Sequence, residues 1–546
     1  TTANYGMMAA VAVHTAITAM AVASDTPSVI FILSDDLGYG DYSLATEVNE
    51  SSFRIPTPNI ARLAENGVRF SRGYSMQVCA PSRCTLMTGR HLGHCTIRGN
   101  DGAYTPLLPT DVTIADVMKK AGYRTGIVGK WGLGNFNTSG YPTEQGFDSY
   151  IGQETQVGCH DWYPLTVSNM SDNKCVVNEA SDLAYTSCLG PAPTCTWAND
   201  LCKTEGLKFI EAAVAAKEKY FLYVATTTPH VGNLHGSGPS PPWYSGDYPV
   251  PHAYSQRFLN ETGPAWNNEQ QQFAAAVWAQ DEIVGAVLDK LEQLGTAENT
   301  VVFFSGDNGP DGHAFELMDD SGIFRGKKRS LHEGGIRQTI VAHWPGTISG
   351  SFVSDRLFTF YDVLPTAADL AGLPSSEWGP TDGVSIKDTL LSPAGTGHPD
   401  PDRYIYIEFC HYGAVDGLLP QVYQEGWVQA IRWDDNATEY PTQWKAIRSN
   451  SDAQQFLLYN LTEDQSESAP LIAPNASSST AAAVLRARGI IERQMAEAHV
   501  EDPKWKSSTS LDDKCCNSCF TPGGCGGACP KGPPGPPPPP PPPSPP

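Results

Sequence analysis

Positive charge is in short supply: 36 lysines and arginines face 59 aspartates and glutamates, for a formal charge of −23. A surface of that sign repels phosphate backbones and anionic bilayers, which excludes nucleic acid and charged membrane as partners. An anionic small substrate stays open, because a pocket can be locally basic. Long hydrophobic runs are also lacking. The apolar stretch from Met7 to Val22 is short for a membrane span, and no later segment has that character. Histidines number 13 and none lies near the C-terminal cysteines Cys515, Cys516, Cys519, Cys525 and Cys529. That group reads as a small disulfide knot, with zinc as the alternative.

At 546 residues, 40% of them hydrophobic and 17% charged, the chain is long enough for a large core and more than one structural unit. Ala21-Val22-Ala23 before Ser24 has the small-x-small pattern of a signal-peptidase site, so residues 1–23 read as a signal peptide. Secretion, to an extracellular, periplasmic or cell-wall location, agrees with seven glycosylation sequons, at Asn49, Asn137, Asn169, Asn260, Asn436, Asn460 and Asn475. It also agrees with eight body cysteines besides Cys79, an even number compatible with disulfides: Cys84, Cys95, Cys159, Cys175, Cys188, Cys195, Cys202 and Cys410. The five from Cys159 to Cys202 are expected to staple an irregular insertion, a metal cluster being the other reading.

Apolar runs of strand length at Ser28–Leu33, Arg124–Val128, Tyr220–Thr226, Thr300–Phe304 and Gln338–Ala342 alternate with helical patterns at 60–66, 113–120, 200–216, 269–294 and 362–371. Such alternation predicts an α/β sandwich on a largely parallel sheet over residues 24–375. Asp35-Asp36, Lys130, Thr228-Pro229-His230 and Asp307-Asn308-Gly309 follow four of these strands, at the carboxyl edge where open α/β sheets bind ligands. Shorter segments over residues 376–502 predict a smaller antiparallel sheet with one helix. Residues 503–546 form an extended cysteine- and proline-rich tail, ending in a polyproline run with nothing to bury. Contact with cell wall or matrix is one role for it; a passive linker is the other.

Asp35, Asp36, Asp307 and Asn308 offer oxygen and neither thiolate nor imidazole, a donor set that selects calcium or magnesium over zinc. The run Cys79-Ala80-Pro81-Ser82-Arg83-Cys84-Thr85-Leu86-Met87-Thr88-Gly89-Arg90 packs a thiol, a helix-opening proline and an arginine into little more than one turn. A helix N-terminus there presents backbone donors to an anion.

This run resembles the signature Cys-x-Pro-Ser-Arg-x-x-x-x-Thr-Gly of the type I, formylglycine-dependent sulfatase family, arylsulfatase-like, and the resemblance extends from Pro27 to about His499. It implies an alkaline-phosphatase-like sandwich and hydrolysis of aryl or carbohydrate sulfate monoesters to sulfate and an alcohol or phenol. It implies that a formylglycine-generating enzyme oxidises Cys79 to an aldehyde. The hydrate of that aldehyde carries two hydroxyls on one carbon: one attacks, and the other collapses back to aldehyde and expels sulfate. It further implies one divalent cation, calcium ahead of magnesium, held by Asp35, Asp36, Asp307, Asn308 and residue 79. Arg83 and Lys130 would steady the nucleophile and metal shell, while His230 and Lys328 would hold the sulfate or protonate the leaving oxygen.

One departure from the family pattern bears on the site. Many sulfatases have Lys-Trp-His-Leu-Gly where this chain has Lys130-Trp131-Gly132-Leu133-Gly134, so a histidine that orients the nucleophile is missing. His160 resembles a residue bordering the substrate pocket in relatives that share the glycine, and reads equally as a structural histidine. Two other functions fit parts of the sequence. One is a phosphate or phosphonate monoesterase of the same superfamily; the other is an inactive, sulfated-glycan-binding wall protein.

Overall fold

Strand β1 (Ser28–Asp35) is apolar almost throughout because both of its faces are covered. The two-residue period then splits it between two cores. Val29, Phe31 and Leu33 enter one, and Ile30 and Ile32 the other. The computed structural model describes residues 26–497, except 45–54, 101–105, 157, 170–174, 177–187, 190, 192, 235–245, 263–265, 313–317, 319, 349, 393–402, 413–424, 436–441, 450–455 and 472–477. Residues 1–23, which read as a signal peptide, the cysteine-rich cluster and the proline-rich tail lie outside the described residues.

The large sheet is built from β1 with β2 (Gly67–Tyr74), β3 (Arg124–Lys130), β4 (Ser149–Gln153), β5 (Thr166–Asn169), β6 (Cys175–Val176), β7 (Tyr220–Pro229), β8 (Thr300–Gly306), β9 (Arg337–His343), β10 (Ser351–Ser354) and β11 (Phe358–Thr359). Its order is β10-β2-β9-β8-β1-β7-β3-β4-β5-β6, with β11 also on β2. β1 pairs in parallel with both β7 and β8, and β3 with β7 and β4, so the centre of the sheet is parallel as the alternating pattern predicts. The pairs β8–β9, β2–β9, β4–β5 and β5–β6 are antiparallel.

One helical layer holds the short helix α1 (Pro58–Glu65), on the face of Ile30 and Ile32, and the long helix Asn268–Gln293 beside it. Asp281, in the middle of that long helix, accepts the α1 backbone N–H groups of Asn59 (3.1 Å) and Ile60 (2.7 Å), capping one helix from another. The opposite layer carries α2 (Cys79–Thr88), α3 (Ile114–Lys120) and the helix Val363–Leu370.

The C-terminal unit is a four-stranded antiparallel sheet of β12 (Tyr404–Tyr412), β13 (Glu425–Asp435), β14 (Thr442–Ser449) and β15 (Phe456–Asn460) with the helix Ser478–Glu497. Ile405, Ile407, Ala430 and Ile447 join the main core, while Ile431, Trp433, Trp444 and Leu458 pack under the helix. Buried charge also crosses the junction. Glu333 takes Lys445 at 3.0 Å, Arg337 at 3.1 Å and the Tyr74 hydroxyl at 2.8 Å. Burial works against ionising Glu333, yet Lys445, Arg337 and Arg432 outweigh it and draw the carboxyl from the ordinary 4.5 to about 2. A carboxyl depressed on folding stabilises fully above its unfolded value and loses that contribution as pH falls through the folded one. The melting temperature should therefore drop between pH 4.5 and about 2, and calorimetry of Glu333→Gln should show a shallower slope across that window.

Three expectations need correction. The central strands run one to three residues beyond their apolar runs, so Asp35, Lys130 and Thr228-Pro229 end β1, β3 and β7 rather than follow them. The neighbouring strands continue the ladder there, and a backbone partner matters more than side-chain polarity. β2 was not expected, since Arg69, Ser71 and Arg72 interrupt its apolar residues. Among the described side chains, Cys188 and Cys195 form a disulfide, but Cys84, Cys95, Cys159 and Cys202 are buried free thiols, so the expected pairing of the body cysteines does not hold for these four. Cys84 and Cys95 belong to the apolar core, and Cys159 donates to the Gln153 carbonyl at 3.2 Å. Cys175 and Cys410 lie outside the described side chains.

Candidate active site

The site forms where β1, β3, β7 and β8 end against the N-terminus of α2. Asp35 closes β1, and Asp36 turns the chain away with φ of 59°. Cys79 is the first residue of α2, and its Sγ lies 3.2 Å from Asp35 Oδ1 and 3.8 Å from Asp36 Oδ1. Burial, reinforced by the charge of Asp35, raises the thiol well above its ordinary range, so the sulfur is no thiolate nucleophile in these surroundings. Asp307 follows β8; its Oδ1 accepts the Asp36 N–H at 3.0 Å.

Three cations lock this arrangement. Arg83, one turn along α2 from Cys79, reaches Asp307 Oδ2 at 2.9 Å and Asp35 Oδ1 at 3.8 Å, and donates to the Lys130 carbonyl at 2.9 Å. Lys130 Nζ meets Asp35 Oδ2 at 2.6 Å, and Lys328 Nζ meets Asp36 Oδ2 at 2.6 Å. The adjacent Lys327 has no such contact with Asp36 among the described bonds. Burial opposes the charge on both lysines, but Asp35 and Asp36 respectively raise them above the usual lysine range. Burial also acts to raise Asp35, which Lys130, His230 and Arg83 nonetheless hold well below a free carboxylate. Asp307 goes the other way: burial and the like charge of Asp35 push it up to about 7 in spite of Arg83.

His230 sits with Nε2 3.3 Å from Asp36 Oδ2, while its Nδ1–H donates to the Val231 carbonyl at 2.7 Å. That bond places the neutral ring's lone pair on Nε2, facing the site. His160 stacks on it, with ring centroids 3.9 Å apart. Burial first pulls both imidazoles down to about 3, helped at His160 by the His230 ring and Lys130, and at His230 by Lys328 and Lys130. His160 therefore touches a site residue and fixes the plane of its ring.

Every residue expected at the site is thus within one constellation, and the donor set suits a hard divalent cation. Ligand atoms of Asp35, Asp36, Cys79 and Asp307 all lie within 4.8 Å of one another. Asn308 commits its Nδ2 to Asp36 Oδ1 (2.7 Å) and the Gly309 carbonyl (2.8 Å), leaving a buried Oδ1 with no hydrogen-bond partner. An orphaned buried carbonyl oxygen beside three carboxylates is what a cation would satisfy.

Two contributors had no sequence signal. Tyr223, inside an apolar run, places its hydroxyl 3.4 Å from Arg83 Nη1. Gln156 fills the space left by the missing histidine: a Cβ built on Gly132 would stand 2.1 Å from Gln156 Nε2, and Gly132 has φ of +76°. A side chain there carries about 1–2 kcal/mol of backbone strain in addition to the clash. Gly132→His should accordingly lower the melting temperature by several degrees without raising kcat, as thermal unfolding and steady-state assays would check.

A second group, His91, His94 and Asp382, lies beyond the other end of α2. His94 Nδ1 is 2.9 Å from Asp382, but His91 Nδ1 accepts the Gly93 N–H at 3.0 Å, so its proton resides on Nε2, the atom that faces Asp382 at 3.9 Å. A protonated nitrogen is no metal ligand, and the cluster reads as a hydrogen-bonded loop anchor.

The sulfatase family model matches residues 27–373. Arylsulfatase G of Rattus norvegicus is 28% identical over 480 residues, covering 82% of this chain and 82% of that protein. N-acetylgalactosamine-6-sulfatase of Mus musculus is 30% identical over 386 residues, covering 68% of this chain and 67% of its own length. Among solved structures, that of Ps i-CgsB has a TM-score of 0.64 at 24% identity, covering 86% of this chain and 93% of that one, a likeness of fold.

Proposed function

Since the chain belongs to the sulfatase family and is a sulfuric ester hydrolase, we propose that it works through formylglycine at position 79 with one divalent cation, calcium ahead of magnesium, at Asp35, Asp36, Asp307 and Asn308. The observation that carries this reading is the position of Cys79: first residue of a helix, with its sulfur against Asp35 and Asp36 and Arg83 one turn behind. As formylglycine hydrate, residue 79 supplies two hydroxyls on one carbon, which allow sulfate to depart with return of the aldehyde. A bound cation supplies polarisation of the sulfate oxygens and favours ionisation of the attacking hydroxyl.

The chain's own residues do the rest. Arg83 and Lys130 hold Asp307 and Asp35 in place, so the ligands need not reorganise during reaction. Lys328 stands as a fixed cation on the opposite side of Asp36, suited to the developing negative charge. His230 presents a lone pair at Nε2 when neutral and takes up a proton only beside an anion. It is then positioned to pass that proton to the leaving oxygen. His160 keeps the ring in that plane.

Secretion belongs to the same proposal, supported by the Cys188–Cys195 disulfide and the sequons. The test is kinetic. Matured protein should cleave an aryl sulfate far faster than the matching aryl phosphate, lose activity to a calcium chelator, and regain it with calcium rather than zinc. Preference for the phosphate, or indifference to chelation, refutes the reading.

A further inference from the structure

The turn that carries Lys328 is held at both ends by the small C-terminal sheet and the turn that follows it. At the start, Arg325 Nη1 donates to the Glu467 carbonyl at 3.1 Å and approaches the Tyr459 hydroxyl at 3.5 Å. At the far end, the Glu333 N–H donates to Glu467 Oε2 at 2.6 Å, while Lys445 Nζ bridges Glu333 Oε1 (3.0 Å) and Glu467 Oε1 (3.1 Å). Glu333, Glu467 and Lys445 have no solvent exposure, and Glu467 holds a left-handed backbone with φ of 53°.

Between these anchors the turn has little slack. Gly334 N–H donates to the Arg325 carbonyl (2.7 Å), Lys328 N–H to Pro310 (2.9 Å) and Arg329 N–H to Gln77 (2.8 Å). Gly309, next to Asn308, donates to the Gly335 carbonyl at 2.9 Å. A Cβ on Gly309 would come within 2.0 Å of the Gly334 carbonyl oxygen, and one on Gly334 within 2.2 Å of that of Gly326. Displacing Glu333 therefore displaces the Lys328 turn and the backbone after Asn308 together.

Apolar side chains of similar volume would join the two sheets at least as strongly as buried ions, whose desolvation is costly. What the ions add is direction: each oxygen and ammonium proton has one place to be. We propose that Lys445 and Glu467 are positioning residues that set the Lys328 ammonium, and so make the small sheet part of the catalytic apparatus. The inference rests on the reading of Lys328 as a substrate-facing cation.

The experiment uses the matured full chain and aryl sulfates of graded leaving-group basicity. Glu467→Gln preserves shape, and the pair Lys445→Met/Glu467→Gln removes one charge of each sign; each is assayed alone and combined with Lys328→Met. Expected is a fall in kcat of about tenfold to a hundredfold with KM within about twofold, steeper for poorer leaving groups. In the Lys328→Met background the same changes should cost almost nothing more. A loss that is equal for all leaving groups and multiplies with that of Lys328→Met overturns the inference, as does unchanged kcat in Glu467→Gln. If Lys328→Met itself leaves turnover intact, the reading of Lys328 fails first and the inference with it.

Discussion

Cys79→Ala should reduce turnover of an aryl sulfate by about 10⁴-fold or more, the scale on which removal of a covalent nucleophile acts when the surrounding site remains. The fold should tolerate the change, because the side chain lost is small and a thiol gives only weak hydrogen bonds to Asp35 and Asp36. Cys79→Ser separates chemistry from shape. A serine has one hydroxyl, so if it takes up a sulfuryl group nothing on the same carbon can expel it. The expected result is at most one turnover, with a stable mass increase on the peptide that contains position 79. Sustained turnover by the serine variant would contradict the two-hydroxyl requirement.

Arg83→Met should be the most damaging change that leaves the proposed nucleophile and ligands in place. The guanidinium is fully buried and serves Asp307, Asp35, the Lys130 carbonyl and the Tyr223 hydroxyl. Without it Asp307, already pushed up by burial and by Asp35, loses its strongest partner. Breaking a buried ion pair from one side costs about 3–5 kcal/mol, which unfolding should register as a clear loss of stability. kcat should fall by about 10²- to 10³-fold, the usual effect of removing one fixed electrostatic group. Added calcium should restore part of the stability, because it neutralises the same carboxylates, but not the rate. A variant with native melting temperature and native kcat would show that Arg83 is not holding the ligands.

Much of this site was legible because the sequence places its chemistry at ends of strongly apolar strands. β1, β7 and β8 are nearly continuous apolar runs, and each hands over directly to the polar residues that meet at the carboxyl edge. What escaped was set by packing between distant segments. Nothing around Lys445 or Glu467 distinguishes them from surface charges until β14 and the turn after β15 close over Glu333, 112 residues before Lys445. Gln156 is invisible as the occupant of the Gly132 gap, since only the backbone fold makes that gap. β2 was hidden because its arginines find partners elsewhere: Arg72 pairs with Asp434, far along the chain. The free thiols went the same way. An even count suggested pairing, but Cys84 and Cys95 pack as small apolar groups in the core.

Mass spectrometry of the peptide spanning position 79, on fully active protein isolated from its own source, tests the central claim most directly. The account predicts the residue mass of formylglycine, trapped by an aldehyde-reactive hydrazide, in proportion to specific activity. Full activity with an intact, alkylatable cysteine at that position would contradict it.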